Sequence, residues 1–291
     1  MDLFWDWWQN LPANIDPVIF QVGSFRLQYY GLMYLVAFGL TYGLAIYRIH
    51  RQERWALSKD HLQGFMTALI IGVILGARLG YVLFYNFSYY LHHPLEIILP
   101  FEFANGVRFT GISGMSYHGG LIGTIVASWY YIRQQRLDFR KTVDFIIPCI
   151  PLGYTFGRLG NFINGELWGR VTTSPMGMHF PFSPDPLLLR HPSQLYEAMG
   201  EGIVLFFVLW LLRNKFRTPG AMFSLYLIGY GSVRFIIEYF REPDAHMGFI
   251  VFTFSMGQLL CMTMITAGVI FWIWAKRNPP PDTRTKLTHR K

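Results

Sequence analysis

The chain of 291 residues carries little charge, because Asp, Glu, Lys and Arg make up only 14% of it, against roughly 25% in a soluble domain. Hydrophobic residues account for 52% of the chain and aromatic residues for 18%, and the mean hydropathy is +0.28. This balance excludes an intrinsically disordered protein and a coiled coil. A positive mean hydropathy over this length favours several membrane spans instead of one water-soluble core.

Cysteine is scarce, and several catalytic motifs are missing from the sequence. Cys149 and Cys261 both lie in apolar runs, so we expect no disulfide framework, no cysteine-rich metal site and no cysteine nucleophile. The sequence has no Gly-x-Ser-x-Gly nucleophile elbow, no His-Glu-x-x-His motif and no P-loop. The amino-terminal segment is acidic and aromatic, unlike a cleavable signal peptide, and we expect its tryptophans to lie at the membrane interface.

Seven stretches are long and apolar enough to cross a hydrocarbon core. The sequence therefore predicts an all-α polytopic membrane protein with about seven transmembrane helices, at approximately residues 30–49, 64–85, 117–132, 142–160, 195–212, 220–239 and 254–275. Two long outer connections, about 86–116 and 161–194, are expected, and the prolines of the second predict a small irregular outer (periplasmic) cap. We therefore divide the chain into three regions: an amino-terminal interfacial segment (1–29), a membrane bundle (30–275) and a basic cytoplasmic tail (276–291).

The basic residues are divided unequally between the two sides of this bundle. The connections after the first, third and fifth spans, together with the carboxy-terminal tail, contain 17 Lys and Arg residues, and the opposite side contains five. Because cytoplasmic loops are enriched in Lys and Arg, we expect the amino terminus outside and the carboxy terminus in the cytoplasm. The net charge of +8 is then explained by membrane orientation, and no nucleic-acid partner is needed.

Three arginines remain inside the predicted spans: Arg78, Arg158 and Arg234. They lie 14 residues after Gly64, Asp144 and Gly220, respectively, which are near the cytoplasmic ends of their spans. This is about 21 Å along a helix and places them in the outer third of the hydrocarbon core. An arginine near the centre of a span costs on the order of 2.5–3.5 kcal/mol on the insertion scale. Other polar residues enter the same layer from the outer side, namely Tyr30, His118, Glu197 and Glu238.

Each residue of this layer also has an ordinary structural explanation. A single arginine often snorkels towards the interface, Arg234 can pair with Glu238 four residues later, and His118 can be a simple interfacial histidine. For the whole set at one depth, a binding site is the better explanation. Clustered arginines bind phosphate or carboxylate groups, and the obvious source at the outer leaflet is a phospholipid headgroup.

Six sequence blocks match the motifs of one known family. They are YYGLMY (29–34), GARLGYVLFYN (76–86), GMSYHGGLIG (114–123), GRLGNFINGELWGR (157–170), RHPSQLYE (190–197) and LIGYGSVRFIIEYFREPD (227–244). The fourteen-residue block is the most specific, and together the blocks cover nearly the whole chain in family order. In these blocks the chain resembles the bacterial prolipoprotein diacylglyceryl transferases.

The resemblance implies a seven-span enzyme of the bacterial inner membrane. Such an enzyme transfers the diacylglyceryl group of phosphatidylglycerol to the lipobox cysteine of a preprolipoprotein, the first step of lipoprotein maturation. A thioether forms and glycerol 1-phosphate leaves. The resemblance implies important roles for Tyr30, His118, Arg158, Asn161, Glu166, Gly169, Glu197, Arg234 and Glu238. It implies supporting roles for Arg78, Tyr81, Tyr85 and Tyr230.

The chemistry of such a transfer suggests a division of roles. Arg158 and Arg234 are suited to hold the phosphate while its bond to glycerol breaks. His118 is the best candidate base for the incoming thiol, since a free cysteine has a pKa of about 8.5. No metal, nucleotide or other cofactor is expected. The main alternative is a lipid or anion transporter that uses the arginines as a binding layer, and an intramembrane protease is disfavoured by the missing nucleophile elbow.

Overall fold

The computed structural model describes residues 3–23, 25–99, 101–102, 108–109, 114–242, 249–251 and 254–279. The described residues are mostly helical and belong to two compact units. The first unit draws on Met1–Pro17, Tyr29–Trp55 and Val143–Lys291, and the second on Val18–Gln28 and Ala56–Thr142. Most of the predicted basic tail, and parts of the predicted connection 86–116, lie outside the described residues.

Helices dominate both units. In chain order they are α1 (Leu3–Gln9), α2 (Tyr29–His50), α3 (Lys59–Phe84), α4 (Phe87–His92), α5 (Tyr117–Gln134), α6 (Phe139–Ile146), α7 (Ile150–Ile163), α8 (Ser193–Glu197), α9 (Leu205–Leu212), α10 (Ala221–Ile237) and α11 (Met256–Arg277). A π-helix, Ala198–Val204, joins α8 to α9. Short 3₁₀ helices occur at Leu11–Asn14, Pro94–Ile97 and Ile147–Cys149.

The strands are short and pair only as antiparallel hairpins among the described residues. The pairs are β1 (Val18–Val22) with β2 (Phe25–Gln28), β3 (Phe101–Glu102) with β4 (Arg108–Phe109), β5 (Met178–His179) with β6 (Leu189–Arg190), and β7 (Phe249–Val251) with β8 (Phe254–Ser255). Each pair lies in a connection between two helices, so the strands belong to the loops of a helical framework.

Each of the seven predicted spans coincides with helix in the structure. Four helical segments of the described chain are long and apolar enough to cross a membrane: Tyr29–His50, Lys59–Tyr85, Ser193–Leu212 and Met256–Arg277. Ala221–Ile237 is apolar but shorter. The prediction of a mostly helical protein with several helices able to span a membrane is confirmed at this level.

The predicted span at residues 142–160 is interrupted by a 3₁₀ turn. α6 ends at Ile146, a 3₁₀ turn follows, and α7 begins at Ile150. Pro148 and Pro151 explain the change, because proline has no N–H to donate and its ring clashes with the preceding turn of an α-helix. The apolar run predicted the helical stretch, and its prolines account for the interruption.

Helices α3 and α5 of the second unit pack through glycines. A Cβ atom at Gly76 would lie 2.7 Å from Cα of Gly123, and a Cβ at Gly80 would lie 2.7 Å from Cα of Gly119. Both approaches are shorter than van der Waals contact, so only glycine allows the two backbones to come this close. The backbone N–H of Ser116 also donates to the carbonyl of Ala77 at 2.9 Å, which ties the start of α5 to α3.

In the first unit, α2 packs on α7, α7 packs on the π-helix and α10 packs on α11. The two carboxylate oxygens of Asp144 accept backbone N–H groups at the start of α10, at 2.7 and 2.9 Å, and so cap that helix from a distant part of the chain. Glu53 links the end of α2 to the end of α9, since it lies 2.7 Å from Arg48 and 3.0 Å from Arg213. These contacts hold the ends of the helices that carry the cluster described next.

The amino-terminal helix α1 docks on the segment between α7 and α8. The indole N–H of Trp8 donates to the carbonyl of Met176 at 3.1 Å, and the Gln9 amide donates to the carbonyl of Pro175 at 3.2 Å. Beneath them lies a small apolar cluster made by Phe162, Met178 and Phe180, with Trp8, Leu11, Ile15, Trp168 and Leu195 against it. The segment that sequence analysis predicted to be irregular is therefore packed against the amino terminus.

Candidate active site

The last residue of α8 places a buried carboxylate among several cations. Glu197 is 1% exposed, and its Oε2 atom lies 2.7 Å from Nε of Arg158 on α7 and 3.1 Å from Nη1 of Arg234 on α10. Its Oε1 atom lies 3.9 Å from Nη1 of Arg241. A buried carboxylate is costly unless it is paired, so the arginines lower the cost of burying Glu197. The structure thus brings Arg158 and Arg234 to one oxygen atom.

The π-helix adds a second buried carboxylate, Glu201, to this cluster. Its Oε2 atom accepts a hydrogen bond from the hydroxyl of Tyr154 at 2.5 Å, and its Oε1 atom lies 3.5 Å from Nη1 of Arg234. Gly202 lets α7 approach, because a Cβ there would collide with the side chain of Thr155. π-Helices are rare and occur often at functional sites.

Arg234 has a further partner one turn later on its own helix. Its Nε atom lies 3.2 Å from Oε2 of Glu238, whose Oε1 accepts a hydrogen bond from the Ser255 hydroxyl at 3.3 Å. The structural pair that the i, i+4 spacing suggested is therefore present. The Arg234–Glu238 pair does not explain every contact of Arg234, because Nη1 of the same guanidinium also lies near Glu197 and Glu201.

The end of α7, the segment after it and the start of α2 extend the cluster through neutral and acidic groups. Nη1 of Arg158 donates to Oδ1 of Asn161 at 3.2 Å, and the Asn161 amide donates to Oε1 of Glu166 at 2.7 Å. The hydroxyl of Tyr30 lies 3.0 Å from that of Tyr34 and also interacts with the side chain of Asn161. Four residues implied by the family resemblance therefore form one connected polar chain.

Gly169 is required by close backbone packing. Its N–H donates to the carbonyl of His191 at 2.8 Å, and its backbone pairs with Arg241 as an antiparallel bridge. A Cβ at this position would meet the carbonyl oxygen of Phe240 and would lie 2.7 Å from that of His191. Burial lowers the pKa of the His191 imidazole below its ordinary value, because charging it would cost desolvation. Gly169 thus allows the chain that carries Arg241 to lie against the loop before α8.

Two tyrosines border the paired arginines. The guanidinium of Arg158 lies over the ring of Tyr154, 4.8 Å from its centroid, and the Tyr154 hydroxyl accepts a hydrogen bond from Nε of Arg158 at 2.7 Å. Tyr230 meets Tyr154 edge to face, with ring centroids 6.0 Å apart. Cation–π contact and hydrogen bonding both favour one orientation of Arg158.

Arg78, the third arginine of the predicted layer, belongs to the second unit. Its Nε donates to the carbonyl of Ile97 at 2.8 Å, Nη1 donates to the carbonyl of Gly114 at 3.3 Å, and Nη2 donates to the carbonyl of Glu96. Its guanidinium also lies 5.0 Å from the centroid of the Tyr90 ring. Through these contacts Arg78 holds the connection between α3 and α5.

The other predicted residues of the second unit lie near the ends of the same two helices. Tyr81 stacks on Tyr85 with ring centroids 5.7 Å apart, and Tyr85 is 64% exposed. His118 is exposed in the first turn of α5, with its ring 5.7 Å from that of Tyr117. The hydroxyl of Ser116 caps this helix. An exposed imidazole at a helix start is accessible to a substrate.

The cluster in the first unit is close to electrically balanced. Three arginines face three glutamates: Arg158, Arg234 and Arg241, with Glu197, Glu201 and Glu238. The side-chain contacts of Arg158 and Arg234 use Nε and Nη1, and neither Nη2 atom donates a hydrogen bond to any residue that the structure describes. These side chains keep 15% and 14% of their surface accessible. The glutamates thus orient the arginines, and among the residues that the structure describes none takes the Nη2 donor that an anion could accept from.

Sequence reasoning missed three members of the cluster: Arg241, which it counted only among the five basic residues of the outer side, and Tyr154 and Glu201. Tyr154 precedes Arg158 by four residues, and Glu201 follows Glu197 by four residues. Residues four apart lie on one helix face, so this spacing was the signal that would have found both. The same signal did identify Glu238 beside Arg234.

Comparison with known proteins decides the family. A family model described as prolipoprotein diacylglyceryl transferase matches residues 17–274. The chain belongs to the prolipoprotein diacylglyceryl transferase family. A protein of Chlorobaculum tepidum named phosphatidylglycerol–prolipoprotein diacylglyceryl transferase is 54% identical over 94% of this chain and 95% of its own length. Proteins with the same name from Idiomarina loihiensis and Paracidovorax citrulli are 45% and 43% identical, over 94% and 91% of this chain and 98% and 97% of their own lengths.

Proposed function

We propose that this chain transfers the diacylglyceryl group of phosphatidylglycerol to the lipobox cysteine of a prolipoprotein. A carbon–sulfur bond forms, the bond between glycerol carbon and phosphate oxygen breaks, and glycerol 1-phosphate leaves. Family membership and the names of the relatives support this reaction. The structural observation that carries the proposal is the pair of arginines at one buried carboxylate, whose Nη2 atoms donate to none of the described residues.

The paired arginines are suited to the leaving phosphate. The electron pair of the breaking C–O bond moves to the phosphate, so negative charge grows there in the transition state. Nη2 of Arg158 and of Arg234 can donate to phosphate oxygens while Glu197, Glu201 and Glu238 hold the other nitrogens in place. Preorganised donors of this kind need no rearrangement during the reaction, which is what makes them effective.

The polar chain formed by Tyr30, Asn161 and Glu166 is suited to the glycerol headgroup. Tyr30, Asn161 and Glu166 offer hydroxyl, amide and carboxylate groups in connected positions next to Arg158. Glu197, Glu238 and Tyr230 position the arginines, and Gly169 keeps the loop backbone close. We assign Tyr30 and Glu166 to the catalytic set and the others to phospholipid binding.

The thiol substrate needs a base, and we assign this role to His118. Its ring is exposed and is followed by Gly119 and Gly120, which add no side chains beside it. A neutral imidazole can accept the thiol proton near neutral pH, which gives the thiolate nucleophile. Arg78, Tyr81 and Tyr85 support this region, since Arg78 binds the carbonyl of Gly114 four residues before His118. No metal or nucleotide takes part in this scheme.

We further propose seven membrane spans in the bacterial inner membrane, with the amino terminus periplasmic and the carboxy terminus cytoplasmic. Residues 86–116 and 161–194 would contribute to a periplasmic cap, and residues 276–291 to a cytoplasmic tail. The docking of α1 on the segment between α7 and α8 supports a common side for these two parts. Leu3, Phe4 and Trp7 of α1 are exposed, as expected of a segment at headgroup level.

Purified protein in phosphatidylglycerol vesicles, incubated with a lipobox peptide, tests the reaction. We expect a peptide mass increased by one diacylglyceryl group, equimolar release of glycerol phosphate, and no product from a peptide with serine in place of the cysteine. Lipid movement without covalent change would instead indicate a transporter, and a shortened peptide would indicate a protease. Either of these results would overturn the proposal.

A further inference from the structure

The proposed reaction assigns no role to Tyr154, although its hydroxyl lies among the paired arginines and glutamates. Its hydroxyl accepts a hydrogen bond from Nε of Arg158 at 2.7 Å and donates one to Oε2 of Glu201 at 2.5 Å, with Oε2 of Glu197 at 3.3 Å. A hydroxyl has one proton and two lone pairs, so it can serve a cation and a carboxylate at the same time. This one oxygen atom therefore connects α7 to both buried glutamates.

The same contacts reach the second arginine. Glu201 uses one carboxylate oxygen for Tyr154, and its other oxygen lies 3.5 Å from Nη1 of Arg234. The direction of the Glu201 carboxylate is therefore set on one side by Tyr154. A change at the tyrosine hydroxyl releases Glu201 as well as Nε of Arg158, and so affects both guanidinium groups.

We propose that Tyr154 is a positioning residue of the transfer reaction: its hydroxyl, shared between Arg158 and Glu201, sets the orientation of both arginines towards the headgroup phosphate. This inference rests on the proposed function of the two arginines. The hydroxyl acts through those residues, and the ring contributes separately through its contacts with Arg158 and Tyr230.

Tyr154→Phe isolates the hydroxyl, because phenylalanine keeps the ring and its packing. We expect kcat to fall about ten- to a hundredfold, since a small misplacement of catalytic groups has effects of this size. The KM for phosphatidylglycerol should change less than about threefold, because the two positive charges that attract the phosphate remain. Tyr47→Phe on α2 is the matched control, since it removes a hydroxyl from another ring that contacts an aromatic neighbour, Trp210.

A double-mutant cycle separates positioning from an independent effect. If Tyr154 acts through Arg158, Tyr154→Phe should cost much less in an Arg158→Lys background than in the wild type. Equal losses in both backgrounds, or wild-type kcat for Tyr154→Phe, would overturn the inference. A lower melting temperature with unchanged kcat of the folded fraction would also overturn it, because that is the result of a purely structural hydroxyl.

Results that contradict the proposed function differ from results that contradict only the inference about Tyr154. If Arg158→Ala retains full transfer activity, or if no transfer occurs in the wild type, the role of the arginines is wrong. If Arg158→Ala is inactive and Tyr154→Phe behaves like Tyr47→Phe, only the inference about Tyr154 is wrong.

Discussion

At the scale of single residues, the cluster around Glu197 solves an electrostatic problem. A charged side chain near the bilayer centre costs on the order of 2.5–3.5 kcal/mol on the insertion scale. Pairing Arg158 and Arg234 with Glu197, Glu201 and Glu238 lowers that cost, and hydrogen bonds from Tyr154 and Ser255 satisfy further oxygen atoms. These contacts hold each arginine in one orientation.

The first prediction concerns the shape of the guanidinium. Arg158 uses Nε for Tyr154 and Glu197 and uses Nη1 for Asn161, so a lysine amine cannot reproduce its contacts. We expect Arg158→Lys to lower kcat about a hundredfold, similar to the loss of one preorganised donor at a developing charge. The measurement is peptide lipidation by mass spectrometry at saturating phosphatidylglycerol.

A matched control is available for this change. Arg213→Lys makes the same replacement in an ion pair of similar exposure, 17% against 15%, whose partner is Glu53. Its kcat should stay within about threefold of wild type, because Arg213 contacts Glu53 and Trp210 and lies outside the cluster around Glu197. Similar activity of the two lysine variants would contradict a specific role for the Arg158 guanidinium.

The second prediction concerns His118 as the base. We expect His118→Ala to lose about 10²–10⁴-fold in rate, the usual contribution of a positioned base. The loss should shrink as the pH rises past the thiol pKa of about 8.5, because the substrate then supplies its own thiolate. A pH–rate series for wild type, His118→Ala and His118→Gln tests this.

The alternative role of His118 gives a different profile. If the imidazole only donates a hydrogen bond to the headgroup, His118→Gln should keep much of the activity, and its pH profile should run parallel to that of wild type. In the base role, glutamine cannot replace histidine, because an amide does not accept a proton in this pH range.

Part of this site could be predicted from the residues themselves. Counting from the span ends put Arg158 and Arg234 at one depth, and the structure has both at one oxygen of Glu197. Glu201 was not found, because a carboxylate in an apolar run has no distinguishing local pattern unless it is counted from Glu197. The Tyr154 hydroxyl contacts both Arg158 on α7 and Glu201 on the π-helix. This contact depends on how the two helices pack, which residue spacing alone does not give.

At the scale of elements, prolines and glycines explain where the helices depart from regularity. Pro148 and Pro151 mark the 3₁₀ turn between α6 and α7, and this break could be predicted from proline chemistry. The π-helix that carries Glu201 could not, because Gly200 and Gly202 are compatible with several helical forms. A Cβ at Gly200 would lie 2.7 Å from the side chain of Val233, and a Cβ at Gly202 would collide with Thr155.

The third prediction concerns the packing of α3 on α5. A Cβ at Gly123 would meet the backbone of Gly72 and would lie 2.8 Å from Cα of Gly76. We expect Gly123→Ala to lower the free energy of unfolding by about 1–3 kcal/mol, the usual cost of overpacking. Gly39→Ala on α2 is the control, because a Cβ there meets no atom within 4 Å.

Gly39→Ala should raise the free energy of unfolding, whereas Gly123→Ala should lower it by a larger amount. Without a steric clash, alanine stabilises a helix relative to glycine by about 0.5–1 kcal/mol. Unfolding in mixed micelles with increasing fractions of sodium dodecyl sulfate gives both values. Equal effects at Gly39 and Gly123 would mean that the close approach of the two helices does not limit stability.

At the scale of the whole molecule, the connections between helices were the least predictable part. Gly169 pairs with Arg241, and Trp8 donates to Met176, although these partners are far apart in the sequence. Such pairings arise only when the helices have brought the loops together, so composition predicted an irregular segment without its partners. The long apolar helices followed directly from hydropathy, because the cost of burying backbone in lipid leaves few other structures.

The last prediction concerns the number and direction of the spans. α10 has 17 residues, or about 25 Å of helix, which is shorter than a hydrocarbon core of about 30 Å. If α10 nevertheless crosses as the sixth of seven spans, the two ends of the chain lie on opposite sides of the membrane. The excess of 17 basic residues over five then predicts the carboxy terminus in the cytoplasm.

Reporters placed on both sides of α10 test whether this helix crosses the membrane. Alkaline phosphatase, which is active only outside the inner membrane, should be inactive when fused after Lys215 or after Lys291 and active when inserted within residues 243–248. Green fluorescent protein at the same three positions should give the complementary result. Activity of phosphatase at both Lys215 and residues 243–248 would mean that α10 does not cross. Arg234 would then not reach the depth at which it is proposed to meet the phosphate, so one topology experiment also tests the proposed site.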